Sequence, residues 1–113
     1  MAALRYTLSV RLWGDDKVFG PGVAELLEKV DEHKSIRKAT MAMGMAYSKA
    51  WSIIKHAEEG LGFELVHGSS GGRGGGGAEL TDKGREFLKA YREFEGRLRQ
   101  CADSAFTDIF KGE

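Results

Sequence analysis

Apolar and polar residues alternate at the start of the chain. Leu4, Tyr6, Leu8, Val10 and Leu12 are interleaved with Arg5, Thr7, Ser9 and Arg11, and Trp13 follows. A period of two predicts a half-buried strand over this stretch. Gly14-Asp15-Asp16-Lys17 reads as a turn, and Phe19-Gly20-Pro21-Gly22 breaks the chain again. The period then changes. Val23, Leu26, Leu27 and Val30 fall at i, i+3, i+4 and i+7, which predicts an amphipathic helix to about His33. Pro21 suits its start, where a missing amide proton costs nothing.

The stretch from Ser35 to Gly60 predicts two more helices joined by a tight turn. Ile36, Ala39 and Ala42/Met43 recur at helical spacing, and Ser35 is a candidate N-cap. Gly44 supplies the permissive backbone for the turn. From Ala46 to Leu61, residues Ala50, Ile53, Ile54, Ala57 and Leu61 share one face at about 100° per residue. The opposite face carries Ser48, Lys49, Ser52, Lys55 and His56, with Tyr47 and Trp51 on the flank. This division predicts a helix-turn-helix whose last helix is offered to the major groove of double-stranded DNA. Many helical pairs are not readers of DNA, and a solvated surface explains the polar face equally well on pattern alone. Trp51 fits the edge of the core better than a base contact; Tyr47 suits either role.

Beyond Gly62 the alternation returns. Phe63 to His67 predicts a short strand, and Ala78-Glu79-Leu80 its returning partner. Together they form a wing with a glycine-rich tip. The tip formally contains GxGxxG at Gly72, Gly74 and Gly77, but that fingerprint requires a strand leading into a helix. Here it leads into another strand, so a wing carrying one long cation, Arg73, is the better reading. Thr81 caps a last helix from Asp82 towards Phe110. Along it, Phe87, Tyr91, Phe94, Leu98, Cys101 and Ala105 are spaced 4, 3, 4, 3 and 4 apart, a heptad seam. Phe87 and Tyr91 suit the core. Phe94, Leu98, Cys101 and Ala105 lie too far along to be buried in so small a domain, and predict a homodimer interface.

Composition adjusts this picture in three ways. At 113 residues with 42% hydrophobic positions, one domain is expected, residues 1–80 carrying the winged unit and residues 81–113 the last helix. The single cysteine excludes an intramolecular disulfide and, with three scattered histidines, leaves no metal site. Cys101 reads as packing rather than a nucleophile, and no catalytic constellation or cofactor motif is present. No apolar run is long enough to span a membrane and no signal-peptide core is seen, so a cytoplasmic location is expected. Lysines plus arginines equal aspartates plus glutamates at 17 each, which counts against a nucleic-acid binder. The distribution is uneven, however. From His33 to Ala57 there are Lys34, Arg37, Lys38, Lys49 and Lys55, and no acid. A locally positive surface neutralises phosphates even where distant charges cancel it in the sum.

The segments SIRKATMAMGMAYSKAW and LGFELVHGSSGGRGGGGAELTDKGREFL resemble the N-terminal DNA-binding domain of the molybdate-responsive ModE family, related to the winged helix-turn-helix of LysR-type regulators. The resemblance runs from about Phe19 to Tyr91. It implies a mainly α fold with a small β component: a winged helix-turn-helix with an N-terminal strand and a long C-terminal dimerisation helix. It also implies that the helix from Ala46 to Leu61 is the recognition helix and the glycine hairpin the wing. Two departures matter. The family's oxyanion-binding domains do not follow Glu113, so either a stand-alone DNA binder or one served by a separate effector-sensing protein is expected. Ala46 stands where relatives often have a capping hydroxyl residue. The resulting DNA-contact set is Lys34, Ser35, Arg37, Tyr47, Ser48, Lys49, Ser52, Lys55 and Arg73. The alternatives are a dimeric interaction adaptor that keeps the fold without reading DNA and, more weakly, RNA binding through the glycine-arginine loop.

Overall fold

The structure, a computed structural model, describes residues 3–69 and 77–110. The first paired residues are β1 (Leu12–Trp13) and β2 (Lys17–Phe19), an antiparallel hairpin with a bulge between Leu12 and Trp13. Three helices follow: α1 (Pro21–His33), α2 (Ile36–Met43) and α3 (Tyr47–Leu61). A second antiparallel hairpin joins β3 (Val66–Ser69) to β4 (Gly77–Leu80), and α4 (Asp82–Ile109) closes the chain. This is a winged helix-turn-helix with a long C-terminal helix.

Most helix boundaries coincide with the local signals. Pro21 opens α1. The Ser35 hydroxyl accepts the Lys38 amide proton at 3.0 Å, and the Thr81 hydroxyl accepts that of Gly84 at 2.8 Å, so two helix starts are capped. Gly44 ends α2 at φ 66°, a left-handed conformation that glycine adopts without steric cost. Ala46 provides no side-chain cap for α3, as its methyl group dictates.

Three expectations need correction. The N-terminal strand is shorter than the alternation: only Leu12 and Trp13 pair with another strand. Residues 3–11 are unpaired with any strand and run along α4 instead. The Tyr6 hydroxyl bonds the Asp103 carboxylate, and the Tyr91 hydroxyl donates to the Val10 carbonyl oxygen at 2.7 Å. The stretch Gly14 to Gly22, read as two breaks, contains β2 between them. The strand expected from Phe63 begins at Val66, because Phe63 turns back to stack edge-on against Phe87, centroids 6.0 Å apart.

The core is built around Phe19, Leu26, Leu27, Val30, Ile54, Leu65 and Tyr91. Phe19 packs against Phe87 at 4.8 Å and Tyr91 at 4.9 Å between centroids, so β2 is clamped to α4. Burial pushes the Tyr91 phenol pKa up, and it serves as a hydrogen-bond donor. Ala24, Ala39, Ala50 and Ala57 are fully buried, which lets the three short helices approach closely. Gly84 lies against the Leu65 backbone. Two ion-pair groups tie α1 to α4: Arg85 reaches Asp31 at 2.8 Å, and Arg92 donates to both carboxylate oxygens of Glu28 from Nε and Nη2 while its Nη1 holds Glu95. The radius of gyration is 17.1 Å, against about 13 Å for a compact domain of this length. The difference comes from α4, whose 28 residues extend about 42 Å and outrun the core.

Two predictions follow from this packing. A Cβ at Gly84 would collide with the Leu65 carbonyl oxygen and sit 3.0 Å from its carbonyl carbon, both backbone atoms that cannot rotate away. Gly84→Ala is therefore expected to destabilise the fold by about 1–3 kcal/mol despite alanine's better helix propensity, read as a lower urea midpoint. The second concerns pH. The Arg85 guanidinium, with Lys34 behind it, holds the Asp31 carboxyl below the usual carboxylate range. A depressed folded-state pKa gives stability that is present above the unfolded value and is lost as pH falls through the folded one. Asp31→Asn should thus be less stable than wild type at neutral pH, with the gap narrowing below about pH 4 in urea titrations.

Candidate nucleic-acid interface

The buried stripe of α3 is Ala50, Ile54 and Ala57, with Ile53 and Leu61 half-buried beside it. The opposite stripe, Ser48, Ser52 and Lys55, is solvent-exposed. Two different surfaces flank it. On one flank a row of side chains alternates cation and ring. Arg37, from α2, lies 4.5 Å over the Tyr47 ring. Tyr47 meets Trp51 edge-on at 6.4 Å, and the Lys55 ammonium sits 5.3 Å from the Trp51 centroid. The rings hold the two cations in defined places at low entropic cost. Trp51 is half-buried against the core, as its position on the wheel implies, while Tyr47 is 39% exposed and available to a ligand.

On the other flank, Lys49, Ser52 and His56 line a cavity of about 480 Å³ between α3, the β1–β2 hairpin and the start of α1. Its remaining polar wall is Arg11 and Lys17, and its floor includes Val18, Phe19, Val23 and Ile53. His56 fixes this geometry by donating from Nε2 to the Lys17 carbonyl oxygen at 3.0 Å. Arg11 and Lys17 were not among the residues singled out from the sequence. They sit 38 and 32 positions from Lys49 in the sequence, and only the clamp between Phe19 and α4 brings them beside it.

The other sequence-predicted residues are more constrained than their residue types suggest. Lys34 adopts a left-handed backbone at the end of α1, φ 54°, and its ammonium pairs with Asp31 at 3.1 Å. Its carbonyl oxygen accepts the Ala78 amide proton at 3.0 Å, so Lys34 stands at the base of the wing. Ser35 is half-buried and engaged as the α2 cap. Lys55 pairs with Glu58 at 3.5 Å. Glu58 itself accepts the Leu65 and Val66 amide protons, which fastens the entry to β3. Arg73 lies outside the described residues. The structure therefore brings Arg37, Tyr47, Ser48, Lys49, Ser52 and Lys55 to one surface, with Lys34 and Ser35 at its edge next to the wing.

Along α4, Phe87 is half-buried and Tyr91 fully buried in the core, whereas Phe94 is 48% and Leu98 37% exposed, and Cys101 and Ala105 are exposed. Among the described residues no helix is long and apolar enough to cross a membrane.

Comparison with known proteins agrees with this geometry. Residues 23–85 match the bacterial regulatory helix-turn-helix proteins of the lysR family. The chain is 35% identical over 78 residues to the molybdenum transport protein ModE of Azotobacter vinelandii, covering 69% of this chain and 29% of the relative. It is 30% identical over 88 residues to the DNA-binding transcriptional dual regulator ModE of Escherichia coli K12, covering 78% of this chain and 33% of the relative. The chain thus spans about a third of the length of the curated relatives it matches. Among solved structures, it resembles the DNA-binding domain of CbnR in a DNA complex, with a TM-score of 0.61 and 19% identity over 78% of this chain and 95% of that one. The corresponding domain of BenM in its complex with benA site 1 DNA gives a TM-score of 0.59 and 22% identity over 81% and 97%.

Proposed function

The chain belongs to the lysR family of bacterial regulatory helix-turn-helix proteins, and from that premise we propose that it is a sequence-specific DNA-binding transcriptional regulator, acting in the cytoplasm as a homodimer on a palindromic operator. The observation that carries this reading is the exposed stripe of α3, Ser48, Ser52 and Lys55, flanked by Arg37, Tyr47 and Lys49, in a span from His33 to Ala57 that contains no acid. In it, α3 enters the major groove. Ser48 and Tyr47, near its N-terminus, face base edges, while Lys49, Ser52 and Lys55 follow along the groove. Lys34, Ser35 and Arg37 hold the phosphate backbone. Phosphate contacts orient the protein, and the base-edge groups select the sequence.

Dimerisation rests on Phe94, Leu98, Cys101 and Ala105, a seam that the single chain leaves uncovered. A two-fold pair would set two copies of α3 in successive major grooves, about 34 Å apart. A separate effector-sensing protein remains a partner of this reading. The similarity to ModE proteins supports a link to molybdenum-related regulation, which the chain shares by resemblance over its matched residues. The formal net charge of zero favours the second reading, a dimeric interaction adaptor.

Selection of bound fragments from a random duplex pool separates the two readings. A recurring inverted repeat is the expected result, and binding that is independent of both sequence and salt would favour the adaptor. Within the DNA reading, Lys55→Gln should weaken binding to all duplexes and lower the salt slope by about 1; an unchanged slope removes Lys55 from the contact set. Leu98→Arg should yield a monomer by sedimentation while leaving the unfolding free energy of the monomeric unit, from urea titration, within about 0.5 kcal/mol of its parent, since that position is already partly exposed. A dimer that persists in this variant places the interface elsewhere.

A further inference from the structure

We propose that the cavity between the β1–β2 hairpin and α3 is a seat for the phosphate backbone of duplex DNA, with Arg11 and Lys17 as its outer contacts. The inference rests on the DNA-binding reading above and extends it to an element outside the helix-turn-helix.

Three segments of the chain supply the cavity's polar groups. Arg11 comes from the residue before β1, Lys17 from the first position of β2, and Lys49, Ser52 and His56 from one side of α3. No carboxylate lines it. Cations from segments distant in sequence, converging on a space with no counter-charge, form a site whose natural occupant is an anion. The volume, about 480 Å³, accommodates a phosphodiester with its hydration.

The position of the cavity selects the backbone as that anion. Ser52 is exposed on the stripe of α3 offered to the major groove, and it also lines the cavity. A recognition helix in a major groove lies between two phosphate backbones. Arg37 and Lys34 stand towards α2 and the wing, on the flank of Tyr47 and Trp51. The hairpin flank faces the opposite strand, and Arg11, Lys17 and Lys49 are the cations found there. His56 contributes by holding the Lys17 backbone to α3. Its ring also marks where the surface changes sign, because the adjoining depression is lined by Asp15, Asp16 and Glu59 together with His56. On the hairpin side, that acidic wall bars phosphate from the C-terminal half of α3 and confines the backbone there to the part that carries Lys49 and Ser52, whereas Lys55 lies on the opposite flank beside Trp51.

The test measures affinity for a labelled duplex of mixed sequence, by fluorescence anisotropy, from about 50 to 200 mM salt. Wild type is compared with Lys17→Gln, with the Arg11→Gln/Lys17→Gln pair and with Lys89→Gln, which removes an exposed cation on α4. Each phosphate contact contributes about 0.9 to the slope of log K against log salt, worth roughly eightfold in affinity at 0.1 M. Lys17→Gln should flatten the slope by that amount per bound copy and the double variant by about twice as much, with Lys89→Gln unchanged. Because the contacts are to phosphate, the loss should be equal for a selected high-affinity site and for mixed sequence. Lys17 is exposed on the hairpin, so its single variant keeps the test independent of any folding defect in the pair. A steep wild-type slope that both variants retain overturns the phosphate seat and leaves DNA binding standing, the result expected if the cavity holds a small organic anion. Absence of salt-sensitive binding by wild type overturns the DNA reading and the seat with it.

Discussion

The clamp of Phe19 between Phe87 and Tyr91 is the interaction on which the rest of the arrangement depends. Phe19 and Tyr91 are 1% and 2% exposed, and aromatic pairs in this geometry contribute about 0.5–1.5 kcal/mol each beyond their burial. The clamp does more than fill the core. Tyr91 also takes up the Val10 carbonyl, so a single side chain of α4 fixes both the N-terminal segment and β2. Once β2 is fixed, Val18 lies against Gly60 of α3, where there is no room for a side chain on the helix, and Lys17 meets His56. The hairpin is thereby registered against α3, and the cavity wall containing Arg11 and Lys17 is a consequence of core packing some distance away.

Small residues set the remaining relation, that of α3 to α1 and α2. Alanines at 24, 39, 50 and 57 are buried with almost no exposed surface, so the helix backbones meet closely and α3 has little freedom to roll. With Ala50, Ile54 and Ala57 inward, Ser48, Ser52 and Lys55 must point outward. Ala46 leaves the first turn of α3 without a side-chain cap, and the row Arg37–Tyr47–Trp51–Lys55 gives an alternative restraint from its outer side. The same contacts that orient the cations also reduce their availability. Lys55 is shared with Glu58, and Lys34 with Asp31, so the surface is less positive than its count of lysines.

Helices were legible in the sequence wherever a local chemical signal marked them. Ser35, Gly44, Pro21 and Thr81 each act through groups within four residues of their own position, and the structure uses all four in that way. Strand signals were less reliable because alternation records which side of an extended chain is covered, without recording what covers it. From Tyr6 to Trp13 the burial does alternate, yet most of this segment lies on α4 rather than on another strand. Phe63 fits the alternation for the same reason, its half-buried ring packing edge-on against Phe87 instead of on a sheet. The exposed polar stripe of α3 was legible as one face of one helix. Its division into a ring-lined flank and a cavity was not, because Arg11 and Lys17 are brought to Lys49 only by tertiary packing.

The outer half of α4 shows what this packing leaves unfinished. The N-terminal segment covers part of it: Tyr6 packs on Phe106 at 5.1 Å and bonds Asp103, and Arg99 reaches the Leu8 carbonyl oxygen at 3.5 Å. At 100° per residue, Arg99, Asp103 and Phe106 occupy a face about a third of a turn from the row of Phe94, Leu98, Cys101 and Ala105. The segment therefore lies beside the heptad row without covering it. Leu4, at 67% exposure, is a further uncovered apolar side chain of that segment. Isolated apolar side chains on a surface are ordinary, but a continuous strip at heptad spacing on a projecting helix is the form in which a coiled-coil partner buries area. In the proposed homodimer a second copy of the chain offers the same strip, and two-fold pairing satisfies both at once.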